Sequence, residues 1–362
     1  MSTADAADPS ADGDIPPELA ARIAKRGGSA TIYDIAQLAG VNPSTVSRAL
    51  SKPGRISQKT EAKIRAAAER LDFQFNPMAR GLPTGRSHTL GLVVADITNP
   101  VIFGIVRGAE HAASAAGFTL VIAESQESGE AEAEAVSRLL PSVDGIVLAT
   151  TRLSDERIAS LSSRKPVVLI NRPVEGVPSV LPDVETGVEA LVEHLAGLGH
   201  RSLLYLSGPE TSWISRRRWE HLLQTSADRE LAIVEVGPHA PTIEAGKVAL
   251  RRVLAARSTA VIAFNDLMAI GLIQAATAAG IRVPDDLSVT GFDDIFGSEL
   301  IVPALTTVRA QLQKAGESAV EQLVDLIDGG AAAGDGAASP PGGLLATTLV
   351  VRDSTGPAPS PR

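Results

Sequence analysis

Cysteine is absent from this 362-residue chain. The protein therefore has no disulfide framework, no thiol nucleophile and no cysteine-based zinc site. The chain also lacks a run of about 18 consecutive apolar residues, which a membrane-spanning helix needs. The stretch Met1–Asp14 is rich in Ala, Ser, Asp and Gly, has no apolar core and does not resemble a signal peptide. We therefore expect a cytoplasmic protein with no membrane partner.

Sequence motifs typical of several enzyme classes are missing as well. The chain has no Gly-x-Ser-x-Gly nucleophile elbow and no glycine-rich phosphate loop. His194 and His200 invite a metal hypothesis, but a spacing of six does not place both on one face of a helix. His200 and Arg201 follow Gly199 instead, as at a helix C-terminus, where cations favour the backbone dipole. We expect no catalytic residue, no metal and no cofactor.

Length and charge both divide the chain into unlike regions. A length of 362 residues exceeds what one hydrophobic core usually supports and indicates two or three domains. Hydrophobic residues at 44% and charged residues at 21% are typical of a soluble globular protein. Twelve basic and four acidic residues lie between Arg22 and His88, which gives this stretch +8 and leaves −17 for the rest of a chain with a net charge of −9. A basic head on an acidic body indicates DNA binding.

The stretch that begins at Thr31 has the signals of two short helices joined by a tight turn. Thr31 and Asp34 have the spacing of a capping box at a helix start. Gly40 can adopt the left-handed backbone that often ends a helix. Asn42 can cap the next helix, and Pro43 suits its first position. Two helices joined in this way form a helix-turn-helix, whose second helix enters the DNA major groove.

The second of these helices carries short polar side chains and one arginine. Arg48 could bind guanine bidentately, a contact worth roughly 1–3 kcal/mol of base discrimination. After a basic turn, Ser57 is predicted to cap a third helix that runs to about Leu71. The alternatives are a solvated helix-turn-helix with no DNA role and, for Arg55, a purely surface position. The candidate DNA contacts in this region are Thr31, Tyr33, Asn42, Pro43, Ser44, Thr45, Ser47, Arg48 and Arg55.

The segment 75–88 is predicted to connect the headpiece to a larger domain. Asn76 and Pro77 repeat the cap-then-proline start, but Gly81 lies inside the helix and Pro83 ends it. So short a helix is not stable alone, because the cost of nucleation is not recovered. We expect the segment to order only when a partner holds it, and a plain linker is the alternative.

From Thr89 onwards, short apolar strands alternate with amphipathic helices, which predicts parallel sheets covered on both faces. About 260 residues of this pattern fit two doubly wound subdomains better than one. The predicted strands are Leu90–Ala95, Phe118–Ala123, Val143–Ala149, Val167–Ile170, Ser202–Ser207, Leu231–Val236, Ala260–Phe264, Leu287–Phe292 and Thr347–Val351. The predicted helices are Pro100–Ala116, Glu130–Leu140, Thr186–Leu198, Ile214–Ala227, Thr242–Ala255, Leu267–Ala279 and Gln311–Ile327.

Polar residues follow four of these strands where each one ends. Asp96 and Asn99 follow the first strand, and Asn171, Asn265 and Asp293 follow later ones. Ligands of open parallel sheets bind beyond the carboxyl ends of the strands. The sequence therefore predicts that these side chains converge on one cleft.

The headpiece resembles that of the LacI/GalR family of bacterial repressors. The family pattern is Ile-x-Asp-Val-Ala-x-x-Ala-Gly-Val-Ser-x-x-Thr-Val-Ser-Arg-x-Leu-Asn, and this chain departs from it with Ile35, Asn42 and Ser51. The likeness continues to about Val351 and implies a body of two lobes, similar to a periplasmic sugar-binding protein. It also implies that the connecting segment is a hinge helix that inserts Leu82 into the minor groove. The residues implied to contact DNA there are Asn76, Ala79, Arg80 and Leu82.

The body carries further motifs of the same family. Gly208-Pro209 followed by Arg218, Asn265-Asp266-Leu-Met-Ala and Gly291-Phe-Asp293-Asp each match a family segment. The resemblance implies that Arg218, rather than the adjacent Arg216 or Arg217, binds the effector. For Asp266 a helix cap is the favoured role, and Trp213 is either a stacking face for a sugar ring or part of the core. The candidate effector contacts are Asp96, Asn99, Phe103, Asn171, Trp213, Arg218, Asn265 and Asp293.

The resulting hypothesis is a homodimeric transcriptional repressor whose affinity for double-stranded operator DNA is controlled by a small molecule, expected to be a sugar or related metabolite. An activator or a corepressor-dependent regulator is the nearest alternative, and a soluble sugar-binding receptor and an enzyme are more distant ones. The expected fold is an all-α helix-turn-helix headpiece followed by an α/β body of two doubly wound, periplasmic-binding-protein-like subdomains. The expected boundaries are a disordered tail at 1–28, the headpiece at 29–74, the hinge at 75–88, the body at 89–353 and a tail at 354–362. Within the first tail, which is expected to be mostly disordered, the sequence allows a short helix around Pro17–Lys25.

Overall fold

The computed structural model describes residues 15–51, 55–73, 86–329 and 344–359. The chain separates into two compact units, Met1–Pro83 and Thr84–Arg362. The division falls inside the predicted connecting segment. Each unit has its own hydrophobic core, and we call the first unit the headpiece and the second the body.

The described part of the headpiece consists of helices. Gly40 has a φ of 66° and ends the first helix of the predicted pair, and the second begins at Pro43. The Oγ of Ser57 accepts a hydrogen bond from the Thr60 N–H at 3.3 Å, so the predicted cap is confirmed. The apolar faces meet in a core that contains Ile35 and Val46. The helices are α1 (Pro17–Lys25), α2 (Ile32–Ala39), α3 (Pro43–Ser51) and α4 (Gln58–Arg70).

The prediction that residues 1–28 form a mostly disordered tail is wrong where the structure describes them, whereas the possible short helix around Pro17–Lys25 is present. Helix α1 lies in this region, and its Leu19 is completely buried in the headpiece core, with Ile15 and Ile23 packed against it. Arg22 and Arg26 also pair with a buried carboxylate of α2. Tertiary packing thus stabilises a helix that is too short to persist alone.

The amino-terminal lobe of the body is built on a parallel five-stranded sheet with the order β2-β1-β3-β4-β5. Gly108 and Gly316 let two of its helices approach closely, because a Cβ on Gly108 would lie 1.9 Å from the Gln313 carbonyl oxygen. The strands are β1 (Thr89–Val94), β2 (Thr119–Glu124), β3 (Gly145–Ala149), β4 (Val167–Ile170) and β5 (Ser179–Val180). The helices are α5 (Val101–Ala115), α6 (Gly129–Leu139), α7 (Asp155–Ser162) and α12 (Leu312–Ile327), which returns from late in the chain.

The carboxyl-terminal lobe is built on a six-stranded sheet with the order β11-β10-β9-β8-β6-β7, in which only β11 is antiparallel. The central strands β8 and β9 are buried along their whole length, as a sheet covered on both faces requires. The strands are β6 (Ser202–Leu206), β7 (Ala232–Val236), β8 (Ala260–Ala263), β9 (Ser288–Asp293), β10 (Thr306–Arg309) and β11 (Thr348–Val350). The helices are α8 (Val184–Gly197), α9 (Trp213–Asp228), α10 (Ile243–Ala256) and α11 (Asp266–Ala278).

The prediction of two doubly wound subdomains is confirmed, with boundaries of most elements within a few residues of those expected. Three short elements were not predicted. They are α7, the two-residue strand β5 and the four-residue strand β10. Each is shorter than the periodic stretch that a sequence pattern needs to stand out.

Three segments of the chain connect the two lobes and bond to one another. They precede α8, α12 and β11. The Asp183 N–H donates to the Leu345 carbonyl at 2.8 Å, and the Thr347 hydroxyl donates to the Asp183 carbonyl at 2.8 Å. Gln311 Nε2 donates to the Ala346 carbonyl at 3.1 Å. A change in the relation of the lobes must therefore act through this bonded set of segments.

The segment 354–359 is not the free tail expected for 354–362. The Ser354 hydroxyl, which is fully buried, donates to the Val289 carbonyl at 2.6 Å. The Gly356 N–H donates to the Ser288 hydroxyl at 3.1 Å, and the Ala358 N–H donates to the Leu198 carbonyl at 2.9 Å. These bonds satisfy backbone groups along the edge of the carboxyl-terminal lobe and hold the segment there.

Candidate functional site

Helix α3 presents its polar residues to solvent and its apolar residues to the headpiece core. Ser44, Ser47 and Arg48 are exposed, as is Asn42 just before the helix, whereas Val46 is completely buried. Pro43 and Thr45 are half-buried. The exposed face therefore combines hydroxyls, an amide and a guanidinium, which are the groups that read base edges. Among the described residues no carboxylate forms an ion pair with Arg48; the headpiece ion pairs involve Arg22, Arg26 and Arg65.

A single buried carboxylate organises the start of α2. Asp34 is 1% exposed, and its Oδ2 accepts hydrogen bonds from the N–H and the hydroxyl of Thr31 at 2.8 and 2.7 Å. Arg22 donates to Oδ1 at 2.8 Å and Arg26 to Oδ2 at 2.6 Å. Burial alone would raise the pKa of Asp34, but these donors together lower it to about 2. Thr31 is thereby fixed at the helix start, next to Tyr33, which is 66% exposed.

The remaining predicted DNA contacts lie at or beyond the edge of the described headpiece. Arg55 is exposed in the turn that precedes α4. The other four predicted contacts lie outside the described residues: Asn76, Ala79, Arg80 and Leu82. Their proposed hinge role stays a prediction.

The body contains a cleft of about 970 Å³, part of it open to solvent, between the carboxyl ends of its two sheets. Both lobes contribute side chains to its lining. Seven of the eight predicted effector contacts lie in this lining: Asp96, Asn99, Asn171, Trp213, Arg218, Asn265 and Asp293. That they bind a ligand stays a prediction.

Arg218 is held in the cleft by an ion pair, a backbone hydrogen bond and an aromatic ring. Its Nη2 donates to Asp293 Oδ1 at 3.1 Å, and its Nη1 donates to the Phe264 carbonyl. The guanidinium also lies over the Phe292 ring, with its carbon 4.1 Å from the ring centroid. Burial raises the pKa of Asp293, and the Arg218 charge counteracts this. The arginine fork is therefore pre-positioned to bind a hydroxyl or a carboxylate.

Asn265, not Asp266, caps α11. Asn265 Oδ1 accepts a hydrogen bond from the Met268 N–H at 3.0 Å, and Nδ2 donates to the Pro241 carbonyl at 3.2 Å. The expectation that Asp266 is the cap is therefore wrong, because it is already the first residue inside the helix. Asn265 has one N–H and one lone pair left for any ligand.

Asp266 is completely buried and joins three parts of the carboxyl-terminal lobe. It accepts hydrogen bonds from the Ser298 hydroxyl at 2.6 Å, the Thr307 hydroxyl at 2.6 Å and the Ile295 N–H at 3.0 Å. Burial, followed by the nearby charge of Asp293, raises its pKa to about 7. Asp266 therefore braces the connection between β9 and β10 rather than facing the cleft.

The amino-terminal lobe supplies a second set of polar side chains. Asp96 accepts hydrogen bonds from the N–H and the hydroxyl of Thr98 at 2.8 and 2.6 Å. Asn99 Oδ1 accepts from the Val101 N–H at 3.2 Å. Asn171 has a φ of 64°, in the left-handed region that asparagine tolerates better than most residues. All three predicted residues are half-buried at strand ends, as the strand-end rule predicted.

Phe103 does not line the cleft, so that prediction is wrong. It lies on α5 and is 58% exposed, whereas Ile102 and Ile105 on the same helix are buried. Successive residues of an α-helix are rotated by about 100° around its axis, so the side chain of Phe103, which follows the buried Ile102, points away from the core. The prediction rests only on the position of Phe103 shortly after the first strand in the sequence, which does not determine the direction of its side chain.

Sequence reasoning missed Glu127 and Arg152, which also line the cleft. Arg152 donates from Nε and Nη2 to Glu127 Oε2 at 2.9 and 2.6 Å, and its side chain is 7% exposed. The two residues follow β2 and β3, so the rule that selected Asp96 would also have selected them.

The two histidines considered for a metal have structural partners. His200 Nδ1 bonds to the Thr259 hydroxyl at 2.8 Å, and His194 Nε2 bonds to the Thr355 hydroxyl at 2.9 Å. Over the described residues no group of three or more His, Asp or Glu side chains could hold a metal ion. No helix in the same residues is both long and apolar enough to cross a membrane.

The two units match two family models. Residues 31–76 match the model of bacterial regulatory proteins of the lacI family, and residues 192–355 match a periplasmic binding protein-like domain. Among solved structures, the lac repressor dimer bound to operator and the anti-inducer ONPF is similar, with a TM-score of 0.80, 28% identity and coverage of 91% of this chain and 99% of the repressor. A complex of the transcriptional regulator CelR with cellobiose has a TM-score of 0.65 and 27% identity, and covers 90% of this chain and 99% of that one.

Curated relatives agree with the structural neighbours over nearly the whole chain. The ribose operon repressor of Halalkalibacterium halodurans is 32% identical over 302 residues, which covers 82% of this chain and 90% of the relative. The transcriptional repressor CytR of Escherichia coli is 30% identical over 341 residues, which covers 91% of this chain and 98% of the relative. This chain therefore belongs to the LacI family of bacterial transcriptional regulators.

Proposed function

We propose that the protein is a cytoplasmic, homodimeric repressor that binds a two-fold symmetric operator and releases it when a neutral, polyhydroxylated effector occupies the cleft. The observation that carries this proposal is the presence, in one chain, of a helix with an exposed reading face and a two-lobed cleft around a buried arginine–aspartate pair. The relatives named as repressors and the operator-bound neighbour support it. The ligand serves as a signal and is not turned over.

The DNA-binding roles follow from which headpiece side chains are exposed. Ser44, Ser47 and Arg48 would reach base edges in the major groove, because they share the exposed face of α3. The first turn of α2, with Thr31 and Tyr33, would contact the phosphate backbone, where helix N-termini favour anions. Base contacts set sequence preference, and phosphate contacts set register and salt dependence.

The charges around the cleft support a neutral effector. Arg152, Arg172 and Arg218 all line it, and each already pairs with a carboxylate. A phosphate would add negative charge where a carboxylate already neutralises each of these arginines, whereas sugar hydroxyls bring no charge and can add to the pairs. Asp96 and the Arg218–Asp293 pair provide both acceptors and donors on opposite lobes, which suits vicinal hydroxyl groups.

Effector binding would act by bridging the two lobes. A ligand that contacts Asp96 in one lobe and Arg218 in the other favours the arrangement in which both contacts form. In the described part of the chain, the lobes are joined through the bonded segments around Asp183, Gln311 and Thr347, so a change in their relation moves those segments. Reciprocal coupling between ligand and operator then follows by linkage.

Self-association is supported by an exposed apolar segment between β9 and β10. Phe296 is 78% exposed, Leu300 61% and Val302 90%. Large apolar side chains so close together in a chain and so exposed usually mark a surface that another protein covers. A second copy is the partner that a symmetric operator requires.

The proposal is tested by measuring operator affinity with and without candidate effectors. Duplexes selected from a random pool by the purified protein should be symmetric, and binding should weaken steeply with salt. Neutral pentoses and hexoses, ribose 5-phosphate and adenine then form the effector panel, screened first by thermal shift. We expect one neutral sugar to lower operator affinity at least about tenfold, a coupling of ordinary size for an allosteric regulator. Tighter binding with the sugar would instead indicate corepression, and no response from any panel member would contradict the proposed control.

Replacing Arg48 with alanine should relax base preference at one position in each half-site. Loss of a bidentate guanine contact costs about 1–3 kcal/mol of discrimination, so affinity for the selected operator should fall about 5- to 150-fold. Affinity for random duplex should change far less. Binding to single-base operator variants measures the effect, and Arg65→Ala, which removes an exposed arginine paired with Glu61, is the matched control. Equal losses of affinity for operator and for random DNA would show that Arg48 contacts the phosphate backbone instead.

A further inference from the structure

Helix α1 lies outside the part of the headpiece that matches the family model, which begins at residue 31. It is nevertheless part of the same core, because Leu19 is completely buried there. Its last turn and the residue after it carry three cations, Arg22, Lys25 and Arg26. We call these three residues the α1 cation cluster.

The hydrogen bonds and ion pairs of the α1 cation cluster locate the end of α1 relative to α2. Arg26 bonds to Asp34, whereas Arg22, one turn earlier, bonds to Asp34 and also to Gln37, one turn later on α2. These bonds place the C-terminal end of α1 beside the N-terminal end of α2. Gly27 and Gly28, with φ of 78° and 86°, then turn the chain back towards Thr31.

The charge of the cluster is not balanced by the headpiece. Two guanidinium groups share one carboxylate, that of Asp34, and Lys25 pairs with no carboxylate among the described residues. Arg22 and Arg26 remain 49% and 40% exposed, and a guanidinium has five N–H donors, so both keep donors for another acceptor. This excess of positive charge lies beside the N-terminal turn of α2, which is proposed above to face the DNA backbone, and it can therefore bind a phosphate there.

We infer that the α1 cation cluster contacts a backbone phosphate beyond those reached by residues 31–76, so that the extra helix widens the DNA footprint. This inference depends on the proposed DNA-binding function. The contact carries no base preference, because phosphates are the same at every position. It adds affinity and salt dependence to operator and random DNA alike.

The test compares the salt dependence of duplex binding by the full-length wild type, Lys25→Gln and Arg26→Gln. Each phosphate contact contributes about 0.9 to the slope of log affinity against log salt, so losing one should lower the slope by about one. Between 50 and 200 mM salt, a variant should then lose about threefold less affinity than wild type does. Operator and random duplex should give the same change. Arg164→Gln removes an exposed cation from the body and is the matched control, with an unchanged slope.

The Lys25→Gln variant distinguishes a phosphate contact by the cluster from a purely structural role. Lys25 does not contact Asp34, so its replacement should leave the melting temperature unchanged while the slope falls. Arg26→Gln also loosens Asp34, and its slope counts only if circular dichroism shows a folded headpiece. Wild-type slopes for Lys25→Gln and for a folded Arg26→Gln would overturn the inference while leaving the proposed function intact. A wild type with no salt-sensitive duplex binding would contradict the proposed function, and the inference with it.

Discussion

The Arg218→Ala variant is expected to bind the effector at least about 30-fold more weakly, because removing a buried charged group that hydrogen-bonds a binding partner costs about 2–5 kcal/mol in binding. Operator affinity without effector should stay within about threefold of wild type, because each headpiece retains its own core and its own reading face. The variant should therefore repress in the presence of inducing sugar. Calorimetric titration of the sugar and anisotropy of labelled operator measure the two quantities separately.

The physical reason lies in the surroundings of Arg218. Its guanidinium is 8% exposed and held by Asp293, the Phe264 carbonyl and the Phe292 ring. Removing it leaves the buried Asp293 carboxylate without its cation, so the pKa of Asp293 rises further and its charged form is disfavoured. A ligand hydroxyl then loses the guanidinium donors of Arg218 and meets a weaker acceptor at Asp293.

Two further variants test whether Arg218 itself binds the effector. Arg216→Ala removes the neighbouring exposed arginine and should bind effector like wild type. Arg218→Lys retains the charge that faces Asp293 but lacks the fork, so it should fold even if the alanine variant melts early, and should lose an intermediate share of affinity. Normal effector binding by Arg218→Lys and Arg218→Ala together would remove Arg218 from the site.

The sequence predicted the elements that begin with strong local signals. Thr31 with Asp34, Asn42 with Pro43, and Ser57 mark the starts of three headpiece helices correctly. At the first and third starts a side chain satisfies a free backbone N–H, because Asp34 accepts from the Thr31 N–H and Ser57 accepts from the Thr60 N–H. In the body, the parallel strands were recognisable as buried apolar runs. Both kinds of signal are local and do not depend on distant contacts.

The cleft was predicted to the extent that it follows from topology. Strand ends in a parallel sheet share one edge, so Asp96 and Asn171 lie together at the edge of the first sheet. Asp293 lies at the corresponding edge of the second sheet, and all three line the cleft between the lobes. The pairing of Arg152 with Glu127 and the capping role of Asn265 depend on loop conformations, which residue types alone do not determine. The prediction for Phe103 was wrong for a similar reason, because the rotation of α5 about its axis decides which of its side chains face the cleft.

The segment before Thr31 shows the limit of local reasoning most clearly. A nine-residue helix with two apolar anchors, Leu19 and Ile23, is unstable in isolation. Its stability comes from the core contacts of Leu19 and the ion pairs of Arg22 and Arg26, all made to residues that follow in the chain. The sequence indicates a possible short helix around Pro17–Lys25, but only tertiary structure reveals that this helix belongs to the headpiece, which therefore begins before residue 29.

If α1 is an integral part of the headpiece, Leu19→Asp should abolish operator binding, with a loss of at least about 100-fold. Emptying a buried leucine site costs about 2–5 kcal/mol, and an unpaired buried carboxylate adds to this. A domain of about 60 residues is only marginally stable, so the headpiece should unfold. The body has its own cores and should retain its melting transition and its affinity for the effector.

Ala20→Asp provides the matched control, because it adds the same charge at the next position of α1, where the side chain is exposed. Its operator affinity should fall only slightly, through repulsion from DNA, and that loss should disappear at high salt. The Leu19→Asp defect should persist at every salt concentration, since it arises from lost packing rather than from charge. Operator binding by Leu19→Asp at wild-type strength would show that the helix-turn-helix folds without α1, and equal defects in the two variants would trace both to charge alone.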